Sequence, residues 1–417
     1  KGVVSNIITM GMGTKTHDQL NYNIVASSKS DESLKLTHFK HQFSLHGNFR
    51  VIALSALLAY FVVQQRRIGK IENAVFDEKI KRSDSTESYI HPSTSIVPRI
   101  RSATRDPDPE MVGPRVAWLM SFPNSGTTYT GSLIKSVSNM TTATNYGKEG
   151  PVDKYSRNIP LRADSQYGPF LQHIGERGIP NYVQTKTHCG GRCGFCSPSK
   201  YIETLDSFEQ MCRTGSRSIN DTLGGTKDVR LDGFPYPKNI VQRATHLIRN
   251  PFNNIVSRYH HRQKKHADDI EWSSNNPNTL EGFRAQCKEM NARYSKKERK
   301  SRYLSDDIIE LFNGVPCHAE FFRYVQWHNL AIETTKRLKL PTHIIHYENY
   351  EHDFESTAKG LLEFLSIEEI GDPPSFIAGK DYLHYYTKRQ RKAAMKLIRR
   401  VATPESWELI KRYNVDV

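Results

Sequence analysis

The feature of the sequence that most constrains the fold is a short apolar run that leads through a glycine-containing turn into a helical pattern. Residues 116–120 read VAWLM, residues 121–129 read SFPNSGTTY, and a helix is predicted over 127–137. Such a turn places backbone N–H groups at the N-terminus of the helix, where the helix dipole favours a bound anion. Gly126 permits a tight turn and the close approach of a ligand. The pattern indicates either an anion-binding loop or an ordinary turn that Ser and Thr side chains cap.

From residue 115 onward, strand patterns alternate with helix patterns. Further strands are predicted over 182–187, 240–248 and 342–347, and further helices over 252–265, 318–338, 354–365, 388–401 and 404–412. This alternation is typical of an α/β fold, in which helices cover both faces of a parallel sheet. We therefore assign residues 115–417 to one α/β domain.

The first 114 residues have a different composition. Residues 1–50 are polar, residues 51–63 form an uncharged apolar run, and residues 64–114 are basic, then polar, then rich in proline. A bilayer span usually needs about 20 apolar residues, so the run is short for a span, and a buried helix or a signal-type apolar core is an alternative. We interpret 51–63 as a signal-anchor that attaches the chain to a membrane, because the segment after it resembles a solvated stem.

The loop around Gly126 differs from the ATP-binding Walker A loop. That motif needs a Lys directly after its last Gly, where it contacts the terminal phosphates. In this chain Thr127 follows Gly126, and Asn124 and Ser125 precede it. A nucleotide kinase or an ATPase is therefore disfavoured.

A second candidate site begins at the end of the predicted strand 240–248. Arg249 is followed by Asn-Pro and a predicted helix, and Ser257 lies about two helical turns further on. Open α/β sheets bind ligands at the carboxyl ends of their strands, and a guanidinium with a hydroxyl suits a phosphate. Taken alone, Arg249 is more simply a solvated residue at the end of a strand.

Together, the two motifs resemble the cofactor signature of the sulfotransferase family, whose members transfer sulfuryl groups from 3′-phosphoadenosine-5′-phosphosulfate (PAPS). The resemblance covers about residues 115–413 and implies a P-loop-like α/β domain. It also implies that Arg249 and Ser257 hold the 3′-phosphate of PAPS and of the product PAP. The residues that it assigns to the 5′-phosphosulfate are Pro123, Asn124, Ser125, Gly126, Thr127 and Thr128.

Further matches support the resemblance. The segment Thr185-Lys186-Thr187-His188 is similar to the element that carries the general base of the family, so His188 is the expected base and Lys186 is expected to stabilise the leaving phosphate. Tyr347, in a Tyr-Glu pair, and Tyr129 are expected near the adenine. Arg391 lies in a basic helix that loosely matches the segment covering the 3′-phosphate.

Asn124 is a departure from the family pattern. Many relatives carry Lys or Arg there, and Asn brings a hydrogen-bond donor without a charge. Either Lys186 substitutes for that charge, or the enzyme is slow, or the protein binds PAP and polyanions without catalysis. The last possibility is the alternative to a sulfotransferase activity.

The charge of the chain indicates a polyanionic partner. There are 59 Lys and Arg residues against 44 Asp and Glu, a net charge of +15. The basic segments 258–266 and 293–302 are either solvated faces or a groove for an acidic polysaccharide. Nucleic acid is not expected, because no binding motif is present and aromatic residues do not interleave with the basic ones.

The six cysteines leave three alternatives open. Cys189, Cys193 and Cys196 follow His188 closely, so a zinc site, free thiols and disulfides are all possible, and we expect disulfides and no metal. Asn139 and Asn220 begin glycosylation sequons.

These observations predict a sulfotransferase with a hydroxyl acceptor, most simply a carbohydrate. The anchor and stem resemble the membrane-bound branch of the family, which implies a single-pass Golgi protein with a luminal catalytic domain. If residues 51–63 do not span a membrane, the alternative is a cytoplasmic enzyme that acts on small phenols and alcohols.

Overall fold

The structure is a computed structural model. It describes residues 114–154, 158–162, 168–175, 177–191, 198–220, 226–230 and 235–414. The expected polar segment, signal-anchor and stem, up to residue 113, lie outside these residues, as do Cys193 and Cys196. Within the described ranges, no helix has the length and apolar character needed to cross a membrane.

A six-stranded, mostly parallel sheet lies at the centre of the described residues, in the order β3-β2-β4-β1-β7-β8. Only the pair β2–β3 is antiparallel in that sheet, and β5 and β6 form a separate antiparallel hairpin. The strands are β1 Arg115–Ser121, β2 Thr142–Thr144, β3 Phe170–Gln172, β4 Tyr182–Thr187, β5 Ser216–Asn220, β6 Thr226–Arg230, β7 Val241–Ile248 and β8 Thr342–His346.

Helices connect and cover these strands. They are α1 Thr127–Ser138, α2 Pro198–Tyr201, α3 Leu205–Cys212, α4 Pro251–Lys265, α5 Ile270–Asn275, α6 Leu280–Glu298, α7 Asp306–Leu311, α8 His318–Arg337, α9 Asn349–His352, α10 Phe354–Leu365, α11 Lys388–Val401 and α12 Pro404–Ile410. Short 3₁₀ turns occur at Gly147–Glu149, Lys238–Ile240, Leu383–Tyr385 and Lys411–Asn414.

Both faces of β1 are buried, as expected for a central parallel strand. Trp118 and Met120 point into a core that includes Phe321 and Tyr324 of α8. Leu119, on the opposite face, packs in a second core with residues of α1 and α10, including Leu133, Ile134, Leu361 and Leu365. This confirms the predicted α/β class, with helices on both faces of a parallel sheet.

The order of the strands positions the site. The chain leaves β1 towards β2 and β4 on one side and later returns to β7 and β8 on the other. Such a reversal opens a crevice at the carboxyl ends of the strands, where α/β proteins bind ligands. The ends of β4, β1 and β7 are adjacent there, because Met120 pairs with Thr187 and Ser121 pairs with Leu247.

Candidate functional site

The residues singled out in the sequence follow four neighbouring strands and lie at one edge of the sheet. The Gly126 loop follows β1, His188 follows β4, Arg249 follows β7, and Tyr347 follows β8. The two anion-binding motifs contact each other, since the Arg249 Nη1 donates a hydrogen bond of 2.8 Å to the carbonyl oxygen of Asn124. The structure thus joins the two motifs in one site.

The loop between β1 and α1 leaves the start of the helix open. Gly126 occupies the N-cap of α1 with a φ of 106°, and no side chain caps the helix. Asn124 has a φ of 68°, which Asn adopts more readily than most residues. The ring of Tyr347 packs directly on Gly126, where a Cβ atom would collide with it. The exposed N–H groups of the first helical turn suit an anion.

Asn254 of α4 holds the Gly126 loop in place through hydrogen bonds to Pro123 and Ser125. The sequence analysis did not identify this role. The Asn254 Nδ2 donates to the Pro123 carbonyl at 3.0 Å and to the Ser125 Oγ at 2.9 Å. The Ser125 hydroxyl in turn donates to the carbonyl oxygen of Phe122 at 2.7 Å. Asn254 is fully buried. The signal in the sequence is an Asn directly before the apolar pair Ile255-Val256 of the predicted helix.

Arg249 is a buried cation held between the loop and an aromatic ring. Its guanidinium carbon lies 4.8 Å from the centre of the Tyr347 ring, and burial lowers the pKa of the guanidinium from its ordinary value. The Arg249 Nε has no hydrogen-bond partner among the described residues. The Glu348 Oε1 accepts a hydrogen bond of 2.8 Å from the Asn250 backbone N–H, which fixes the segment that carries Arg249.

His188 has a defined ring orientation at the end of β4. Its Nδ1 lies 2.9 Å from the Ser121 carbonyl oxygen. The Ser121 Oγ lies 3.2 Å from the same Nδ1. Because the carbonyl oxygen is the closer partner and can only accept, we infer the tautomer with the proton on Nδ1 and the ring lone pair on Nε2. The ring stacks on Tyr146, and Trp327 donates to the His188 carbonyl at 2.8 Å. This tautomer suits a general base that accepts a proton at Nε2.

Lys186 forms an ion pair with Glu149 in the lining of the site. Its Nζ lies 2.9 Å from the Glu149 Oε1 and 3.1 Å from the Oε2, and both side chains are largely buried. Glu149 was not singled out in the sequence. The carboxylate compensates part of the positive charge that Lys186 would otherwise offer to a leaving phosphate.

One cleft of about 990 Å³ joins these groups. Its lining contains the loop, Arg249, Ser257, Lys186 and His188. One wall is the basic half of α4, and the residues that this wall contributes are Arg258, His260, His261, Arg262, Lys264 and Lys265. The sequence segment 258–266 therefore lies on the cleft rather than on a remote face.

Arg258, in that wall, forms an ion pair with Glu320. Its Nε lies 2.6 Å from the Glu320 Oε2, and Glu320 also binds Arg323. Burial would raise the pKa of Glu320, but the two guanidinium groups outweigh it and hold that pKa below its ordinary value. The exposed charge of the wall comes mainly from Lys264 and Lys265.

Four of the expected cofactor residues do not line the cleft, namely Ser125, Tyr129, Tyr347 and Arg391. Ser125 and Tyr347 still contact the loop or its glycine, whereas Tyr129 and Arg391 make other contacts. The Tyr129 hydroxyl donates to the Pro374 carbonyl at 3.1 Å, and its ring packs edge-on against Tyr350 and Phe376. Arg391 lies on α11 and contacts the carbonyl oxygen of Leu383. The roles of Tyr129 and Arg391 in cofactor binding stay predictions.

Disulfides account for the described cysteines. Cys189 is bonded to Cys212, and Cys287 to Cys317, as expected from the sequence. The first of these bonds joins the residue after His188 to the end of α3. Over the described ranges, no cluster of three or more metal-ligating side chains is found.

Comparison with known proteins identifies the family of the chain. The family model of the sulfotransferase domain matches residues 114–396. No curated protein matches the chain. Among solved structures, one match is mouse sulfotransferase SULT7A1 complexed with PAP, at 15% identity and a TM-score of 0.32, over 72% of this chain and 89% of that chain. The chain belongs to the sulfotransferase family, and it is a PAPS-dependent sulfotransferase.

Proposed function

We propose that this sulfotransferase modifies a hydroxyl group of an acidic carbohydrate. The observation that carries the proposal is the single cleft that contains the Gly126 loop, Arg249 and His188 together with the basic wall of α4. A cationic wall of this kind attracts an acceptor that is itself anionic.

The donor end of the cleft fits PAPS. The uncapped N-terminus of α1 offers N–H groups to the 5′-phosphosulfate, and Thr127 and Thr128 add hydroxyl donors. Arg249 has an unpaired buried Nε for the 3′-phosphate, and Ser257 lines the same cleft. When bound, PAPS supplies an activated sulfuryl group.

His188 acts as the general base in this proposal. Its Nε2 takes the proton of the acceptor hydroxyl as that oxygen attacks, while the Ser121 carbonyl holds the ring through Nδ1. A positioned base contributes roughly 10²–10⁴-fold to the rate. Lys186 and the loop N–H groups stabilise the charge that grows on the leaving phosphate, and the pairing of Lys186 with Glu149 moderates its contribution.

A His188→Ala variant tests this assignment. Transfer should fall by at least about a hundredfold because no base remains, while PAP should still stabilise the variant against thermal unfolding. The measurement combines transfer of labelled sulfate with thermal melts in the presence of PAP. Transfer at the wild-type rate would reject His188 as the base.

The rival function is binding of PAP and polyanions without catalysis, and Asn124 favours it. The two functions are separated by incubating the protein with labelled PAPS and a panel of acidic sugars, neutral sugars and phenols. Transfer to acidic sugars is the expected result. Stabilisation by PAP without transfer to any acceptor would favour the rival, and transfer to phenols alone would favour the branch that acts on small molecules.

For the cellular location, we propose a Golgi membrane protein with the catalytic domain in the lumen. The disulfides Cys189–Cys212 and Cys287–Cys317 support an oxidising compartment, and the apolar run 51–63 supports an anchor. Protease treatment of intact microsomes that contain the full chain should leave the catalytic domain protected. Digestion of the domain without detergent would indicate the cytoplasmic alternative.

A further inference from the structure

A second cavity, of about 330 Å³, lies beside the transfer cleft. It is formed between α1, which contributes Ser132 and Lys135, and the strands β1, β2 and β4. Its size is at the lower end of the range for small-molecule sites, about 300–1,000 Å³. His188, Arg249 and Ser257 line the transfer cleft and are not among the residues that line this cavity.

The cavity contains an unpaired buried amide. Gln184 of β4 lines it and is 1% exposed. Both its Oε1 and its Nε2 lack a hydrogen-bond partner among the described residues. An unpaired buried amide destabilises the fold, and one donor beside one acceptor matches a hydroxyl group of a ligand.

The cavity is also cationic. Two lysines, Lys135 and Lys186, line it with one carboxylate, Glu149, and that carboxylate pairs with Lys186. Burial, together with the nearby Arg177, lowers the pKa of Lys135. An anionic ligand group would compensate this desolvated cation.

The cavity is adjacent to the transfer cleft. Both are lined by Thr127, Thr128, Glu149 and Lys186. A ligand in the cavity therefore lies next to the loop that faces the sulfuryl group and to the strand that carries His188.

We propose that this cavity is an acceptor subsite for one anionic sugar ring, adjacent to the ring whose hydroxyl receives the sulfuryl group. The Gln184 amide binds a ring hydroxyl, and Lys135 pairs with a carboxylate or a sulfate substituent. This inference rests on the proposed acidic carbohydrate acceptor and specifies where its charge is recognised.

An ordered water is the simplest alternative occupant. Buried waters commonly satisfy polar groups that have no protein partner. A water would explain the unpaired amide of Gln184 without any role in acceptor binding, so the experiment must separate these two outcomes.

The test uses calorimetric binding to the full chain in the presence of PAP. The probes are a disaccharide that contains glucuronic acid, a sulfated disaccharide and a neutral disaccharide of glucose. The wild type should bind the acidic probes at least about tenfold more tightly than the neutral one. The two acidic probes show whether a carboxylate or a sulfate is preferred.

Two variants and a control locate the binding. Gln184→Leu should weaken the acidic probes by about tenfold, as expected for one lost buried hydrogen bond. Lys135→Gln should reduce the preference over the neutral probe by about tenfold, with the remainder due to the basic wall of α4. PAP affinity should not change. Gln263→Leu removes another buried Gln with an unpaired Nε2, outside both cavity linings, and should leave probe binding unchanged.

The outcomes distinguish the subsite from the proposed function. If both Gln184→Leu and Lys135→Gln bind the acidic probes with wild-type affinity, the subsite is overturned. The cavity would then hold an ordered water and no sugar. Equal wild-type affinity for acidic and neutral probes would overturn it as well. If the variants behave as expected but sulfate is transferred to no sugar, the subsite stands and the proposed catalytic function fails.

Discussion

Single residues at the Gly126 loop explain why the donor site has its shape. The Tyr347 ring packs where a side chain at residue 126 would lie, and the Arg249 guanidinium lies over that same ring. The positive φ of Asn124 gives a backbone reason for Asn at this position, because Asn tolerates the left-handed conformation better than Lys. The missing loop charge is thus linked to the conformation of the loop.

Gly126→Ala should weaken PAP binding by at least about tenfold. The new Cβ atom would collide with the Tyr347 ring at a φ of 106°, and such backbone strain costs about 1–3 kcal/mol. The matched control is Gly131→Ala in α1, where a Cβ atom would meet only the Thr142 Oγ1 at 3.9 Å. The affinity of each variant for PAP is measured by calorimetry. Equal affinities of Gly126→Ala and Gly131→Ala would contradict the steric role of Gly126.

At the scale of elements, α4 organises the site. One helix carries Asn254 to the loop, Ser257 to the cleft and the basic wall to the acceptor side. The Asn250 side chain caps the helix by accepting a hydrogen bond of 2.9 Å from the Phe252 N–H. The start of α4 is therefore fixed directly after Arg249, and the same helix holds the Gly126 loop through Asn254.

Asn254→Ala should lower PAP affinity by about tenfold and destabilise the fold by about 1–3 kcal/mol, because the Pro123 carbonyl and the Ser125 hydroxyl lose a buried donor. Asn329→Ala is the control. Asn329 also bridges backbone groups, at Val401 and Thr403, but far along the chain on α8 and outside the cleft lining. The control should lose stability without losing PAP affinity, and parallel losses in both variants would argue against a specific role of α4.

The elements with strong periodicity could be predicted from the sequence. Strand β4 and helix α10 were predicted with their observed bounds, whereas β2 and β3 were missed because three residues carry too little pattern. Helix α6 was also missed. Its buried residues Phe283, Cys287, Met290 and Tyr294 have helical spacing, but they lie among many charged residues that masked the pattern.

Site residues that directly follow a parallel strand could be predicted from the sequence. The loop, His188 and Arg249 follow parallel strands, so the fold itself brings them to one edge. Tyr129 could not be placed, because its ring contacts Tyr350 and Phe376 from distant segments. Asn254 and Glu149 were missed for the same reason, since their partners lie far away in the chain.

The molecule as a whole carries buried histidines that should make it sensitive to acid. Burial lowers the pKa of His246 to about 3 and that of His346 to about 4. Burial also holds the pKa of His328 well below its ordinary value. The His246 Nε2 and His328 Nδ1 atoms lie only 2.7 Å apart. These rings stay neutral in the folded chain at pH values where the unfolded chain binds protons.

The free energy of unfolding should therefore fall as the pH drops below about 6.5, the pKa of histidine in the unfolded chain. Each such histidine contributes about 1.4 kcal/mol per pH unit until its folded-state pKa is reached. Thermal melts between pH 7.5 and pH 5.0 measure this slope, and His328→Gln should reduce it. A melting temperature that is constant or rises over this range would show that the rings are not held neutral.

The most direct test of the central claim, that the Gly126 loop and Arg249 bind the two phosphate ends of one nucleotide, is a comparison of two nucleotides in an Arg249→Ala variant. Calorimetry gives the affinities for PAP and for adenosine 5′-phosphosulfate, which lacks the 3′-phosphate. We expect the variant to lose at least about tenfold in PAP affinity, since hydrogen bonds to charged groups contribute about 1.5–3 kcal/mol. The loss for adenosine 5′-phosphosulfate should be much smaller and should reflect only the contact between Arg249 and the loop. Equal losses for both nucleotides would contradict the claim.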